Sequence, residues 1–384
     1  MSQDHLTEKQ RLLQRVRRVV LKVGSSILSN GEGIQRERVA SLAAEICGLR
    51  QRGIEVMVVS SGAVAAGVAR LKMRERPKTV PQRQAAAAVG QIHLMAVYEE
   101  FFAERDVAVA QILLTHDDLA NRRRYLNARH TLETLFASGV VPVANENDTV
   151  VTAELTTFGD NDNLSAQIAG LVEADLLVLL SDVPGLYTKN PAQHADAELV
   201  ALVDQDGRAG ASFEMRGSSS GVGTGGMASK FAAALKASAA GIPTIIADGL
   251  HSGVLPRIFD LERSVGTLFL PRGDRMARRK HWIAYTLKPS GTLVVDDGAA
   301  QAIASQKRSL LPSGVRRVEG KFDSGACVRC LDLQGRELAR GLVNYSAAEL
   351  EKIKGAHTTK IEERLGYKLT DEVIHRDDLV LIGA

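Results

Sequence analysis

The sequence is short of cysteine, of long apolar runs and of surplus charge of either sign, and each shortage excludes a class of protein. Cys47, Cys327 and Cys330 are its only cysteines. They give no disulfide framework and suit a reducing compartment. No apolar stretch reaches the length needed to cross a bilayer. Arg11, Arg15, Arg17 and Arg18 make the N-terminus basic, but no apolar h-region follows before the first strand pattern, so a secretory signal is not expected. A soluble, cytoplasmic protein is expected. Lys plus Arg number 48 against 45 for Asp plus Glu, a formal charge of +3. That balance alone calls for neither nucleic acid nor a membrane surface. What the 384 residues do hold is apolar: 45% are hydrophobic and 24% charged, enough for two domains with real cores and unlike a disordered polyampholyte.

The order of patterns is that of an α/β protein. A charged leader, residues 1–16, precedes the apolar run Arg17 to Val23, which ends in Gly24-Ser25-Ser26 and puts Lys22 at the end of a buried strand. Helical spacing from Gln35 to Arg52, with Gly53 as a stop, leads to a second strand, Ile54 to Val59, and the small-residue turn Ser60-Ser61-Gly62-Ala63. Two strands with glycine-bearing turns around one helix make a βαβ unit, which implies a parallel sheet with sites at the carboxyl ends of its strands. Ser61 there either caps the following helix, Val64 to Leu71, or points into the crevice. Further helices are expected from Gln82 to Glu104 and Leu119 to Ala137, and further strands from Val107 to Leu113 and Val140 to Ala144. The most apolar strand, Leu176 to Leu180, is expected to be central; Pro243 to Ala247 and Gly266 to Leu270 follow.

Two stretches carry chemistry. Val143 to Asn163 holds two amide and carboxylate clusters, Asn145-Glu146-Asn147-Asp148 and Asp160-Asn161-Asp162-Asn163. Asn and Asp favour turns and helix N-caps, but both clusters together suggest a lip of donors and acceptors around a small polar ligand, with a helix from Leu164 to Val172 behind it. Gly217 to Lys230 is rich in Gly, Ser and Thr and opens a helix, Met227 to Ala240, with Lys230 in its first turn. Backbone N–H groups, helix dipole and one cation converge there, as in phosphate loops, although the string lacks the Walker A spacing. Two lysines and such loops suggest ATP; the polar lip suggests a zwitterion. Phosphoryl transfer asks for positioning and charge neutralisation, and an acceptor carboxylate needs no general base. No histidine stands out, in keeping with that.

The ordered segments VVLKVGSS, VVSSGAVAAG, VPVANENDTV, FGDNDNLSA, LLSDVPGLYT and GTGGMASK resemble the bacterial glutamate 5-kinases from about Arg17 to Leu270, and the tail from Ser290 to Tyr367 resembles a PUA domain. The resemblance implies a three-layer α/β/α sandwich with a mainly parallel sheet, at residues 17–271, then a basic linker at 272–289 and a small mostly-β PUA domain at 290–384. It implies transfer of phosphate from ATP to the γ-carboxylate of L-glutamate, with Mg²⁺ bridging the β- and γ-phosphates and no metal site built from side chains. Lys22, Gly62, Ser181, Asp182, Thr224, Gly225, Gly226, Met227, Ala228, Ser229 and Lys230 are carried over as nucleotide contacts. Ser61, Asn145, Asp148 and Asn161 are carried over as glutamate contacts. Within that scheme Lys22 and Lys230 stabilise the transferring phosphoryl group and Asp162 orients both. Asn161 and Asp162 are expected to face the reacting carboxylate and phosphate. Ser181 stands where the family often has Thr, and the hydroxyl is kept.

The same resemblance implies inhibition by proline, with Thr149 to Phe158 as a candidate lid and sensor, a homo-oligomer, and transfer of the labile product to the next pathway enzyme. Competing readings are a PUA protein binding RNA beside a vestigial kinase, with Arg272 to Lys280 on phosphates, and a sibling kinase acting on another acceptor. In the tail, Cys327-Val328-Arg329-Cys330 spells C-x-x-C without a second pair or a histidine at zinc spacing. In a strand its two thiols point to opposite faces, and it is read as structural.

Overall fold

Strand β1 (Arg18–Val23) is apolar on both faces and every residue after Arg18 is buried, which requires a layer on each side. The computed structural model describes residues 3–30, 33–75, 77–150, 161–208, 226–273, 289–305 and 308–382. The chain divides into two compact units, residues 1–119 with 131–272, and residues 120–130 with 273–384. In the first unit β1 is joined by β2 (Glu55–Ser60), β3 (Val109–Leu114), β4 (Val141–Glu146), β5 (Leu176–Ser181), β6 (Leu202–Val203), β7 (Thr244–Asp248) and β8 (Thr267–Phe269). Their spatial order is β3-β4-β2-β1-β5-β7-β8-β6. Neighbours from β3 through to β7 are parallel, and β8 reverses against β7. The expected central strand is β5, buried along its whole length.

Period-two alternation sorts the two faces. Val19, Leu21 and Val23 share a core with Val39, Leu42 and Ile46 of one helix and Leu94, Val97 and Phe102 of another. The helices of eight or more residues that begin or end in this unit are α1 (Gln3–Leu13), α2 (Arg36–Gln51), α3 (Ala63–Arg70), α4 (Val80–Ala103), α5 (Arg122–Ala137), whose residues 122–130 fall in the second unit, α6 (Asn161–Leu171) and α7 (Met227–Ala239). α2 and α4 cover the face just described; α6 and α7 pack on each other and on the opposite face, towards which alternation turns Lys22. The result is helix, sheet, helix.

The charged leader holds α1, and its Leu13 together with Val16 enters the main core. Its charges hid two apolar anchors and a lysine that finds acceptors: Lys9 is buried and its ammonium donates to the carbonyls of Asp260, at 2.7 Å, and Arg263. Burial pushes Lys9 down to about 8 even with the Asp260 carboxylate nearby. The pattern from Leu119 to Ala137 also divides, into a helical turn at His116–Ala120 and α5.

The second unit holds a sheet of β9 (Gly291–Val295), β10 (Val315–Gly320), β11 (Cys327–Leu331), β12 (Glu337–Leu342) and β13 (Leu379–Leu381), in the order β10-β9-β11-β12-β13. Strand β12 escaped the sequence pattern because ELARGL interleaves charges and a glycine; it is held by antiparallel pairing on both sides. Cys330 packs in the main core of this unit with Leu293 and Val328, whereas Cys327 packs with Leu342 on the other face. Burial pushes the Cys330 thiol up to about 12, which makes it a poor nucleophile.

The feature that most constrains the first unit is the crossing of α3 and α4. A Cβ on Gly67 would lie 1.7 Å from the Ala86 carbonyl oxygen, and one on Gly90 would lie 1.8 Å from that of Ala63. Both contacts are backbone against glycine, so no side chain can yield. Gly90→Ala is expected to force the helices apart and to destabilise the fold by about 1–3 kcal/mol or more, read as a lower midpoint in urea denaturation. An unchanged midpoint would show that the helices separate at no cost.

Candidate active site

Strand register decides which side chains can meet. Lys22 is level with Val59 of β2 and Leu179 of β5, and Val23 with Ser60 and Leu180. Ala144 of β4 pairs with Val59, so Asn145, next along the strand, ends level with Ser60. Ser181 of β5 pairs with Asp248. The carboxyl ends of β1, β2, β4 and β5 therefore finish together, at the edge where open α/β sheets place their sites.

Two helices start at this edge. Asp162 is the second residue of α6 and Lys230 the fourth of α7. Lys22 Nζ lies 2.6 Å from Asp162 Oδ1, and Lys230 Nζ 3.6 Å from Asp162 Oδ2. Ser229 Oγ donates to Asp162 Oδ2 at 2.5 Å. The three charged residues are 4%, 1% and 6% exposed, in the order Lys22, Asp162, Lys230. Burial by itself would raise the Asp162 carboxyl, but the two ammonium groups and the Ser229 hydroxyl hold it below the usual carboxylate range. One carboxylate thus pairs with two cations beside two helix N-termini, and helix N-termini favour an anion.

Beside this charged group runs a chain of amides. Asn161 Nδ2 has three oxygens in reach, the Ser60 carbonyl at 3.0 Å, Ser61 Oγ at 2.8 Å and Asn145 Oδ1 at 3.0 Å. Asn145 Nδ2 donates to Gln91 Oε1 at 2.8 Å, and Asn145 Oδ1 also accepts from the Glu146 backbone N–H at 2.9 Å. Gly62, at φ 102°, opens α3 next to Ser61, a left-handed turn that favours glycine. Asp148 is half-buried, and burial followed by the neighbouring Glu146 carboxylate pushes it up to about 7.

A model of the amino acid kinase family matches residues 17–248, and one of the PUA domain matches residues 291–365. The chain is 53% identical over 379 residues to a glutamate 5-kinase of Geobacter sp. (strain M21), covering 97% of this chain and 100% of that protein. The chain belongs to the glutamate 5-kinases. Glutamate 5-kinases of Geobacter sulfurreducens and Geobacter metallireducens are 53% and 54% identical, each over 97% of this chain and 99% of their own length.

In this glutamate 5-kinase, Lys22, Asp162, Ser229 and Lys230 meet in one cluster, and Ser61, Asn145 and Asn161 in another. Ser181 and Asp182 close β5, the neighbour of β1, with Ser181 Oγ donating to Asp182 Oδ1 at 3.2 Å. Gly226, Met227 and Ala228 lead into α7. Thr224 and Gly225 lie outside the described residues, as do residues 151–158 of the expected lid.

The geometry sharpens one role. The Asn161 amide nitrogen is occupied by protein oxygens, so the atom it can offer a ligand is Oδ1, an acceptor. An acceptor atom complements a donor such as an ammonium. Sequence reasoning missed Gln91 and Tyr98, both buried on α4, with the Tyr98 hydroxyl 3.1 Å from Ser60 Oγ. Their signal was a polar residue inside an apolar helical stripe.

Asp162→Asn is expected to remove the carboxylate that two buried ammonium groups share and to cost about 3–5 kcal/mol of stability. Adding Lys22→Met to that variant should recover part of the loss. Because the folded carboxyl lies below its unfolded value near 4, its contribution is present above that value and fades as pH falls through the folded one. Denaturation curves at neutral and acid pH check both statements. A variant as stable as the parent at neutral pH would contradict the shared-carboxylate account.

Proposed function

We infer that this chain is an ATP-dependent kinase that phosphorylates the γ-carboxylate of L-glutamate to give L-glutamyl 5-phosphate, the first step of proline synthesis. The observation that carries the reading is the Lys22–Asp162–Lys230 cluster at the start of two helices, beside a buried amide pocket, in a chain whose close relatives bear that name. A γ-carboxylate oxygen attacks the γ-phosphorus, the bond from phosphorus to the β,γ-bridging oxygen breaks, and ADP leaves with the electron pair. No proton is moved, because the acceptor is ionised at neutral pH. Lys22 and Lys230 offset the charge spreading over the phosphoryl oxygens, and Asp162 holds their ammonium groups in place without titrating. Ser61, Asn145, Asp148 and Asn161 hold the amino acid, and Ser181, Asp182 and the start of α7 the nucleotide.

Among the described residues no group of three or more His, Cys, Asp or Glu side chains stands where it could hold a metal ion. Mg²⁺ would enter with the nucleotide, held by phosphate oxygens and water, and would neutralise phosphate charge there. Inhibition by proline is best assigned to the amino acid pocket, which accepts a small zwitterion.

Trapping the product with hydroxylamine tests the reaction. Glutamate with ATP is expected to give the hydroxamate, and aspartate or acetylglutamate far less. In the same assay Lys230→Ala should lower kcat by about 10²–10³-fold with little change in glutamate KM; a raised KM with intact kcat would move Lys230 out of the transferring group's reach.

Asp148 supplies a pH test. Its carboxyl titrates near 7 in the free protein, and only its ionised form pairs with the glutamate ammonium. The kcat/KM for glutamate is expected to rise with pH through an inflection near 7, and Asp148→Asn should weaken glutamate saturation and remove that inflection. An unchanged profile in the variant would exclude Asp148 from substrate binding.

A further inference from the structure

Gln91 is a glutamine in a buried stripe of α4 whose other members are Ala86, Ala87, Gly90, Leu94, Val97, Tyr98 and Phe102. It is 8% exposed. Placing an amide there is costly unless its hydrogen bonds are made. The helix is drawn to this depth by Gly90, whose missing side chain lets α4 touch the Ala63 carbonyl at the start of α3. The next residue, Gln91, is thereby delivered to the edge that carries Ser61, Gly62 and Asn145.

Its two polar atoms are treated unequally. Oε1 accepts from Asn145 Nδ2 at 2.8 Å, which fixes the amide plane and its orientation. Nε2 is buried and has no hydrogen-bond partner among the described residues. At the far end of the same chain of amides, Asn161 Oδ1 is likewise buried without a partner. Inside the chain every donor meets an acceptor: Asn161 Nδ2 reaches Asn145 Oδ1, and Asn145 Nδ2 reaches Gln91 Oε1. The two open ends are one N–H donor and one acceptor. Leaving a buried polar group unpaired is costly, and this pair of ends matches a ligand that brings a carboxylate and an ammonium together.

We propose that Gln91 is a substrate contact of the amino acid pocket, its Nε2 donating to the α-carboxylate of the acceptor while Asn161 Oδ1 accepts from the α-ammonium. The assignment rests on the glutamate reading given above. Direction follows from sequence adjacency: Asn161 precedes Asp162, which holds the two lysines, so the Asn161 end lies next to the transferring phosphoryl group. Gln91 marks the remote end, where the part of the amino acid that does not react is held. Binding energy there distinguishes an α-amino acid from a simple carboxylic acid and sets the γ-carboxylate at the phosphate.

The test uses the full-length protein with Gln91→Leu, which removes both amide atoms, and Gln91→Glu, which keeps an oxygen for Asn145 and replaces the donor by an acceptor. In the hydroxamate assay, both variants are expected to raise glutamate KM by about ten- to a hundredfold, with kcat and the KM for ATP within about twofold of the parent. For Gln91→Glu the excess KM over the parent should shrink as pH is lowered, because the protonated acid regains an O–H donor. If Gln91→Leu does not fold, Gln91→Glu carries the test alone through that pH response. A glutamate KM equal to the parent's overturns the proposal, as does a fall in kcat and in ATP affinity that matches the effect on glutamate. A parent protein that forms no glutamyl hydroxamate overturns the glutamate reading itself, whereas a working parent matched by its variants overturns only the assignment of Gln91.

Discussion

One carboxylate holds the active edge of this protein together. Asp162 takes Lys22 from a strand, Lys230 from a helix and the Ser229 hydroxyl, so three elements far apart in the chain are pinned at a single point. Two buried ammonium groups side by side repel strongly in a poorly polarisable interior, and neither could stay charged there without a counter-ion. Shared by two cations and set beside the N-termini of α6 and α7, the carboxylate leaves a setting that favours an anion such as a polyphosphate.

The amide chain depends on a different constraint, the glycine-mediated contact of α3 with α4. Gly67 and Gly90 allow backbone contact that any side chain would prevent. That contact brings Gln91 within hydrogen-bonding distance of Asn145. It also sets the start of α3, and with it the Ser61-Gly62 turn, against the end of β2. Packing and recognition are the same geometry here: the helix crossing that closes the core also builds one wall of the acceptor pocket.

Much of this was legible in the sequence, for physical reasons that can be stated residue by residue. Buried parallel strands are continuous apolar runs, so Arg18–Val23 and Leu176–Ser181 announced themselves, and helices α2 and α4 began and ended close to their predicted limits. Lys22 and Lys230 stood out as charges at the end of an apolar strand and in the first turn of a helix after a glycine loop, whereas the place of Asp162 between them came from the family resemblance. Gln91 was passed over, since a lone amide in an apolar helical stripe does not show what it bonds until its neighbours in space are known. In the leader, many charges masked the apolar Leu13 and Val16, and the burial of Lys9 depends on acceptors more than two hundred residues away in the chain.

The electrostatics of the two clusters separate binding from transfer. Asp162 is held below the usual carboxylate range by two cations and the Ser229 hydroxyl, so it gives the phosphoryl end of the site no switch near neutrality. Asp148, raised to about 7 by burial and by Glu146, changes charge in the physiological range at the amino acid end. A carboxyl acceptor makes this division workable, because it reacts as the anion and asks no side chain to take a proton. With Asp148 on the amino acid as proposed, acidification acts on how well that substrate is held, the reverse of an enzyme that works through a titrating general base.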